Sequence, residues 1–356
     1  MSMLFLIIVG VIIGALAILL THLGNPANMG FCIACFLRDI AGGLGLHRAG
    51  VVQYLRPEIA GLGLGAMAVA WLKGEFRARG GVGLLRFVLG FAMMIGALVF
   101  LGCPLRMVLR LAGGDLNALV GLLGFVCGIY VGVLALKSGY NPGRAYPQPR
   151  GTAFIYPVVL AALLAAVALR PQFIFFSAEG PGSMAAPVLA SLGAGLVVGI
   201  LAQRSRLCLA GGIRDMILIR DPHLLWGFTG IFAAALIGNI ALGKFNLGFA
   251  NQPIAHTAHL WNFLGLAVVG FAAVLAGGCP LRQLIMAGEG DTDAVLTVLG
   301  MVAGAAFAHN FGLAGSAAGV APAGRVAVLV ALAVLVLIGF GHRLQAKARR
   351  SEKEVA

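Results

Sequence analysis

The residues best placed to do chemistry are cysteines: Cys32, Cys35, Cys103, Cys127, Cys208 and Cys279. Four of them sit in motifs that occur twice. Gly102-Cys103-Pro104-Leu105-Arg106 recurs as Gly278-Cys279-Pro280-Leu281-Arg282, a separation of 279 − 103 = 176. Cys32, followed by Arg38-Asp39, recurs as Cys208, followed by Arg214-Asp215, at 208 − 32 = 176 again. Proline is favoured at the first position of a helix, where its missing N–H costs nothing. Pro104 and Pro280 therefore each predict the start of a short helix, with Cys103 and Cys279 at the N-cap. A helix N-terminus offers unpaired N–H groups and a partial positive charge, which suits an anion. Gly102 and Gly278 permit close backbone approach, and Arg106 and Arg282 add charge or anchor the loop.

The other candidates read differently. Cys32 and Cys35 form a CxxC, which suggests a redox pair or half a zinc site. The second copy has Gly211 at the position of Cys35, and no second CxxC exists to complete a tetrahedral site, so no metal is expected. Cys32 and Cys208 should project from their loops toward the centre of the molecule. Arg38 and Arg214, with Asp39 and Asp215, read as ties between those loops and their neighbours, because a charge beside a membrane segment is costly unless paired. Cys127 has no counterpart in the repeat and reads as packing. His22, Asn25 and Asn28 follow the first apolar segment and are placed to line an entrance. No nucleotide-binding or zinc-protease motif is present, and no cofactor is expected.

The elements that must hold these motifs are membrane spans. Hydrophobic residues make up 60% of the 356 and charged residues only 10%, where a soluble domain carries roughly 25% charged. Long apolar segments lie near 3–23, 57–73, 84–101, 117–136, 153–169, 185–201, 225–243, 262–277, 294–311 and 324–341. The first reads as a retained span and not a cleaved signal. Between them, short Gly-rich segments near 28–46, 103–112, 206–219 and 280–288 are too short and too polar to span. Irregular backbone at membrane depth survives only when buried in protein or lining a cavity, so these segments are expected to be re-entrant. Asp115 maps onto Asp291, Gly124 onto Gly300 and Gly128 onto Gly304, all at the same offset.

The expected fold is thus an all-α polytopic membrane protein, with two inverted repeats whose short re-entrant helices meet near the midplane. Residues 1–136 form the first repeat and 185–313 the second. A cytoplasmic loop and connecting helix occupy 137–184, and 314–356 hold a last transmembrane helix and a basic tail. Because the connecting helix is single, the second repeat is expected upside down relative to the first. Lys73, Arg77, Arg79, Arg86, Lys137, Arg144 and Arg150, with Arg343, Lys347, Arg349, Arg350 and Lys353 of the tail, fall on one side if there are ten crossings. By the positive-inside tendency that side is the cytoplasm, and both termini lie there.

The net charge of +13 fits an anionic solute or anionic lipid better than nucleic acid, since no soluble domain exists to present a basic face. The run Gly24-Asn25-Pro26-Ala27-Asn28-Met29-Gly30-Phe31-Cys32-Ile33-Ala34-Cys35-Phe36-Leu37-Arg38-Asp39-Ile40-Ala41-Gly42, the doubled Gly-Cys-Pro-Leu-Arg and the length resemble the YeeE/YedE membrane transporters, closest to the YedE-like branch linked to selenium metabolism. The resemblance covers essentially the whole chain and implies a bacterial inner-membrane transporter. Better-studied relatives import thiosulfate through an hourglass-shaped protein with cysteines along the path, and are commonly described with nine spans. Carried over, the matching cysteines are Cys32, Cys103, Cys208 and Cys279. The expected function is a permease, not an enzyme, for a small sulfur- or selenium-containing anion, with Arg38, Arg106, Arg214, Arg282, Gly102 and Gly278 in support. A soluble sulfur- or selenium-carrier protein on the cytoplasmic side is a candidate partner. The alternative is a membrane thiol oxidoreductase, or a sulfur or selenium relay partner, using Cys32 and Cys35.

Overall fold

The computed structural model describes residues 2–355, with side chains through Gly341. The tail charges Arg343, Lys347, Arg349, Arg350 and Lys353 lie outside the described side chains. The fold is all-α and membrane-spanning. Its elements are α1 (Met3–His22), α2 (Ile33–Gly43), α3 (Pro57–Leu72), α4 (Gly83–Phe100), α5 (Pro104–Ala112), α6 (Leu116–Lys137), α7 (Ile155–Leu169), α8 (Val188–Ser205), α9 (Leu209–Ile219), α10 (Leu225–Ala241), α11 (His259–Ala276), α12 (Pro280–Gly288), α13 (Thr292–Asn310) and α14 (Pro322–Val355). A two-residue antiparallel ribbon, β1 (Arg79–Gly80) with β2 (Tyr146–Pro147), joins the α3–α4 and α6–α7 connections.

Among the described residues, eight helical segments are long and apolar enough to cross a bilayer: Met3–His22, Gly83–Ala112, Leu116–Lys137, Arg150–Leu169, Val188–Ile219, His259–Gly288, Thr292–Asn310 and Pro322–Gly341. Pro57–Leu72 and Leu225–Ala241 are apolar but shorter. Each of the ten apolar segments read from the sequence contains one apolar helix. The difference between ten and eight is these two, which fall short of the roughly 20 residues a spanning helix needs.

Three elements recur at the 176-residue offset with identical bounds: α2 and α9, α4 and α11, α5 and α12. The packing is reciprocal. α6 lies along α11 and α13 lies along α4; α3 lies along α8 and α10 lies along α1. Each half therefore completes the other's core, and neither is a separate body. Glycine makes the crossings close. A Cβ on Gly124 of α6 would stand 2.0 Å from the Phe263 carbonyl oxygen of α11, and one on Gly300 of α13 would stand 2.1 Å from that of Phe87. Phe263 and Phe87 are themselves 176 apart. Small residues at such crossings replace the missing hydrophobic drive with tight backbone contact. The repeated aspartates are caps: Asp115 accepts from Asn117 N–H at the start of α6, and Asp291 from Ala294 N–H at the start of α13.

Charge inside the bundle is largely paired. Asp39 receives Arg38 on one oxygen at 2.7 Å and Arg56 on the other at 2.7 Å, with all three buried. This ties α2 to the start of α3, and Arg56 reaches on to the Pro181 and Met184 carbonyls. The second repeat has Phe232 in place of Arg56, and its Arg214–Asp215 pair is half-buried. Asp39→Asn would leave two guanidiniums buried without a carboxylate, a change that typically costs about 3–5 kcal/mol. Its apparent melting temperature in detergent should fall well below that of Asp215→Asn, where water screens the orphaned arginine.

Candidate functional site

All four repeated cysteines occupy the same structural position. Cys32, Cys103, Cys208 and Cys279 are the N-cap residues of α2, α5, α9 and α12. Sequence reasoning placed only Cys103 and Cys279 there, from the proline that follows. Cys32 and Cys208 lack that proline, and they cap with sulfur. Cys32 Sγ accepts from Cys35 N–H at 3.3 Å, and Cys208 Sγ from Gly211 N–H at 3.2 Å. The role is shared by both copies, although only the first has a second cysteine. It accounts for the Cys32 geometry without redox chemistry.

The four caps meet in two pairs. The Cys32 and Cys103 side chains are neighbours, as are those of Cys208 and Cys279. Cys208 Sγ also accepts the Cys279 N–H at 3.4 Å. All four are buried and unbridged. Cys127 differs from its sequence reading. It is exposed on the outer surface of α6 and packs nothing in the core. In a bilayer that surface meets lipid, where a small apolar side chain is neutral.

The arginines of the doubled motif lie behind the caps. Gly102 and Gly278 give them room: a Cβ there would come within 3.0 Å of the Arg106 stem and 2.9 Å of the Arg282 stem. The two guanidiniums then find unlike partners. Arg282 pairs with Glu289 at 3.0 Å, and Glu289 also takes Arg206 at 2.8 Å. Arg106 is fully buried and faces the backbone carbonyls of Asn28 (3.3 Å), Ile254 (3.3 Å) and Leu101, with Cys35 Sγ at 3.6 Å from Nη1. Its neighbour Arg110 is neutralised by Asp115 at 2.6 Å and lies over the Phe100 ring.

Two cavities open at the end of the bundle that carries the α10–α11 connection. One, of about 360 Å³, is lined by Asn25, Asn28, Gly113, Asn239, Lys244 and Gln252 among others. The sequence pointed to Asn25 and Asn28 here, whereas His22 is not part of the lining. The other, of about 490 Å³, is lined by Arg38, Leu101, Ile254 and His309 among others. Arg56, Asn239, Gln252 and Glu289 escaped sequence reasoning because none lies in a repeated motif. Only their contacts single them out.

Residues 204–353, most of the second half, match a family model described as sulphur transport. The chain is 30% identical over 103 residues to the thiosulfate transporter TsuA of Escherichia coli, covering 29% of each protein. It is 31% identical over 105 residues to TsuA of Spirochaeta thermophila, covering 30% of this chain and 31% of that protein. The matched region thus spans about three-tenths of each relative.

Proposed function

Given that the chain is a member of the YeeE/YedE family of membrane transporters, we propose that it passes a small sulfur- or selenium-containing anion across the bacterial inner membrane. The observation that carries this reading is that all four repeated cysteines stand buried at the N-termini of short helices, two of them joined where Cys208 Sγ accepts the Cys279 N–H. Four positive helix ends attract an anion. Thiol sulfur meets a soft sulfur or selenium atom better than it meets oxygen. Weak contacts in series bind without trapping. The two TsuA relatives are thiosulfate transporters, which makes thiosulfate the first substrate to try. Uptake by the purified protein in liposomes, run over thiosulfate, sulfite, selenite and selenide, tests the reading. No uptake of any of the four by the protein alone would overturn it in favour of a subunit that needs a carrier partner.

In this reading 1–136 and 185–313 are inverted repeats related by an axis in the membrane plane, and the β1–β2 ribbon marks the cytoplasmic end. Fusion reporters or cysteine accessibility should then place both termini in the cytoplasm. An external N-terminus would show that one of the two short helices, α3 or α10, does not cross.

One observation favours the oxidoreductase alternative: Cys32 and Cys35 are adjacent and unbridged on the first turn of α2, with the Cys35 N–H donating to Cys32 Sγ. That mechanism needs both thiols, so Cys35→Ser would lose all activity. The permease reading expects measurable uptake to persist, because the second repeat uses Gly211 at this position.

A further inference from the structure

Superposed at the 176-residue offset, the two repeats differ at the counter-ion of their motif arginine. Arg282 has Glu289 seven residues on, and the equivalent of Glu289 in the first repeat is Gly113 (289 − 176). Where the second repeat has Gly211, the first has Cys35, and that thiol sits on Arg106. Arg106 is therefore a guanidinium buried among neutral groups. Carbonyl dipoles satisfy its N–H donors but leave its charge uncancelled, an expensive state inside a membrane protein.

The three carbonyls themselves are unusual. Asn28, Leu101 and Ile254 all have positive φ, at 55°, 65° and 50°. That region disfavours side chains with a Cβ, and a β-branched isoleucine most of all. Leu101 is the left-handed C-cap of α4, as Gly277 is of α11, and asparagine tolerates this region, so the strain falls chiefly on Ile254, where it motivates a search for function. Asn28 lines the smaller cavity, and Leu101 and Ile254 line the larger one, so the residues that clasp Arg106 border both cavities.

We propose that Arg106 is the anion-binding latch at the entrance of the path. An oxyanion arriving from the cavities takes over the hydrogen bonds now made to Asn28, Leu101 and Ile254, and so parts them. Arg282, already neutralised, has no such site at the opposite end. The site recognises charge and oxygen, so sulfate and thiosulfate should bind alike, and discrimination by soft sulfur is left to the cysteines. This assignment rests on the transport reading above.

Gly113→Glu tests it by building the counter-ion of the second repeat into the first. The position has ordinary φ, and its nearest neighbour is the movable Asn28 side-chain amide. Gly113→Gln, of equal length and no charge, controls for bulk. Sulfate and thiosulfate binding is measured on the full-length protein in nanodiscs. Gly113→Glu should weaken both by about 30-fold or more relative to Gly113→Gln, the scale set by losing charge-assisted hydrogen bonds. Arg106→Gln, the second variant should the first fail to fold, should do the same. Equal binding by the Glu and Gln variants, or wild-type sulfate affinity in Arg106→Gln, overturns the latch. Arg106-dependent binding in a wild-type protein that transports nothing supports the latch and overturns only the transport reading.

Discussion

Cys103→Ser and Cys279→Ser are each expected to cut uptake of the sulfur or selenium anion by tenfold or more, while expression and folding stay near wild type. Serine keeps the size, and no side-chain cap is lost, because neither the Cys103 nor the Cys279 side chain hydrogen-bonds the first turn of its helix. What it removes is the soft atom. A tenfold loss corresponds to about 1.4 kcal/mol in the transport barrier, within reach of a single contact. The matched variants Cys103→Ala and Cys279→Ala should be as severe, although the cavity each leaves costs the fold little. Cys127→Ala should be close to neutral, because that thiol lies on the outer surface of α6. The measurement is initial uptake into liposomes at equal protein density. Wild-type rates in both serine variants would end the idea that the cysteine sulfurs pass the anion along the path. Anion passage would then fall to the four helix N-termini and the motif arginines.

The second large effect is on stability. Gly124→Ala and Gly300→Ala each put a methyl within about 2 Å of a backbone oxygen, 2.0 Å from Phe263 and 2.1 Å from Phe87. Neither oxygen can move without shifting a whole helix, α11 or α4. Overpacking of this kind costs about 1–3 kcal/mol and sometimes more, against a total stability of only about 5–15 kcal/mol. Both variants should show a lower unfolding temperature and a several-fold smaller yield of monodisperse protein. Gly193 of α8 has open space where its Cβ would be. Gly193→Ala should therefore be neutral or slightly stabilising, through helix propensity. If all three alanine variants behave alike, the α6–α11 and α4–α13 crossings are looser than their geometry indicates.

Much of the fold was legible because the relevant signals are local or periodic. A span is announced by its own run of apolar residues, and its register in a duplicated chain by a constant offset. The proline after Cys103 and Cys279 declared two helix starts on its own. Asp115 and Asp291, Gly124 and Gly300 could be matched by arithmetic, but the offset gave no reason for them. One pair caps helices, and the other lets backbones touch. Cys32 and Cys208 could be singled out but not placed, because a cysteine cap has no following proline to reveal it.

By itself, then, the sequence determined an all-helical membrane chain, its duplication, and the four cysteines in matched positions. It could do so because bilayer burial and helix initiation depend on neighbours along the chain. Tertiary structure alone decided how charge is distributed among those matched positions. Arg106 and Arg282 are identical in motif and alike in local helix geometry. Yet one meets the Glu289 carboxylate, and the other meets carbonyls from α1's following loop, the end of α4 and the α10–α11 connection. Those partners are up to 148 residues away from Arg106. A guanidinium buried away from water is governed by whichever groups surround it in space, and motif matching cannot supply them.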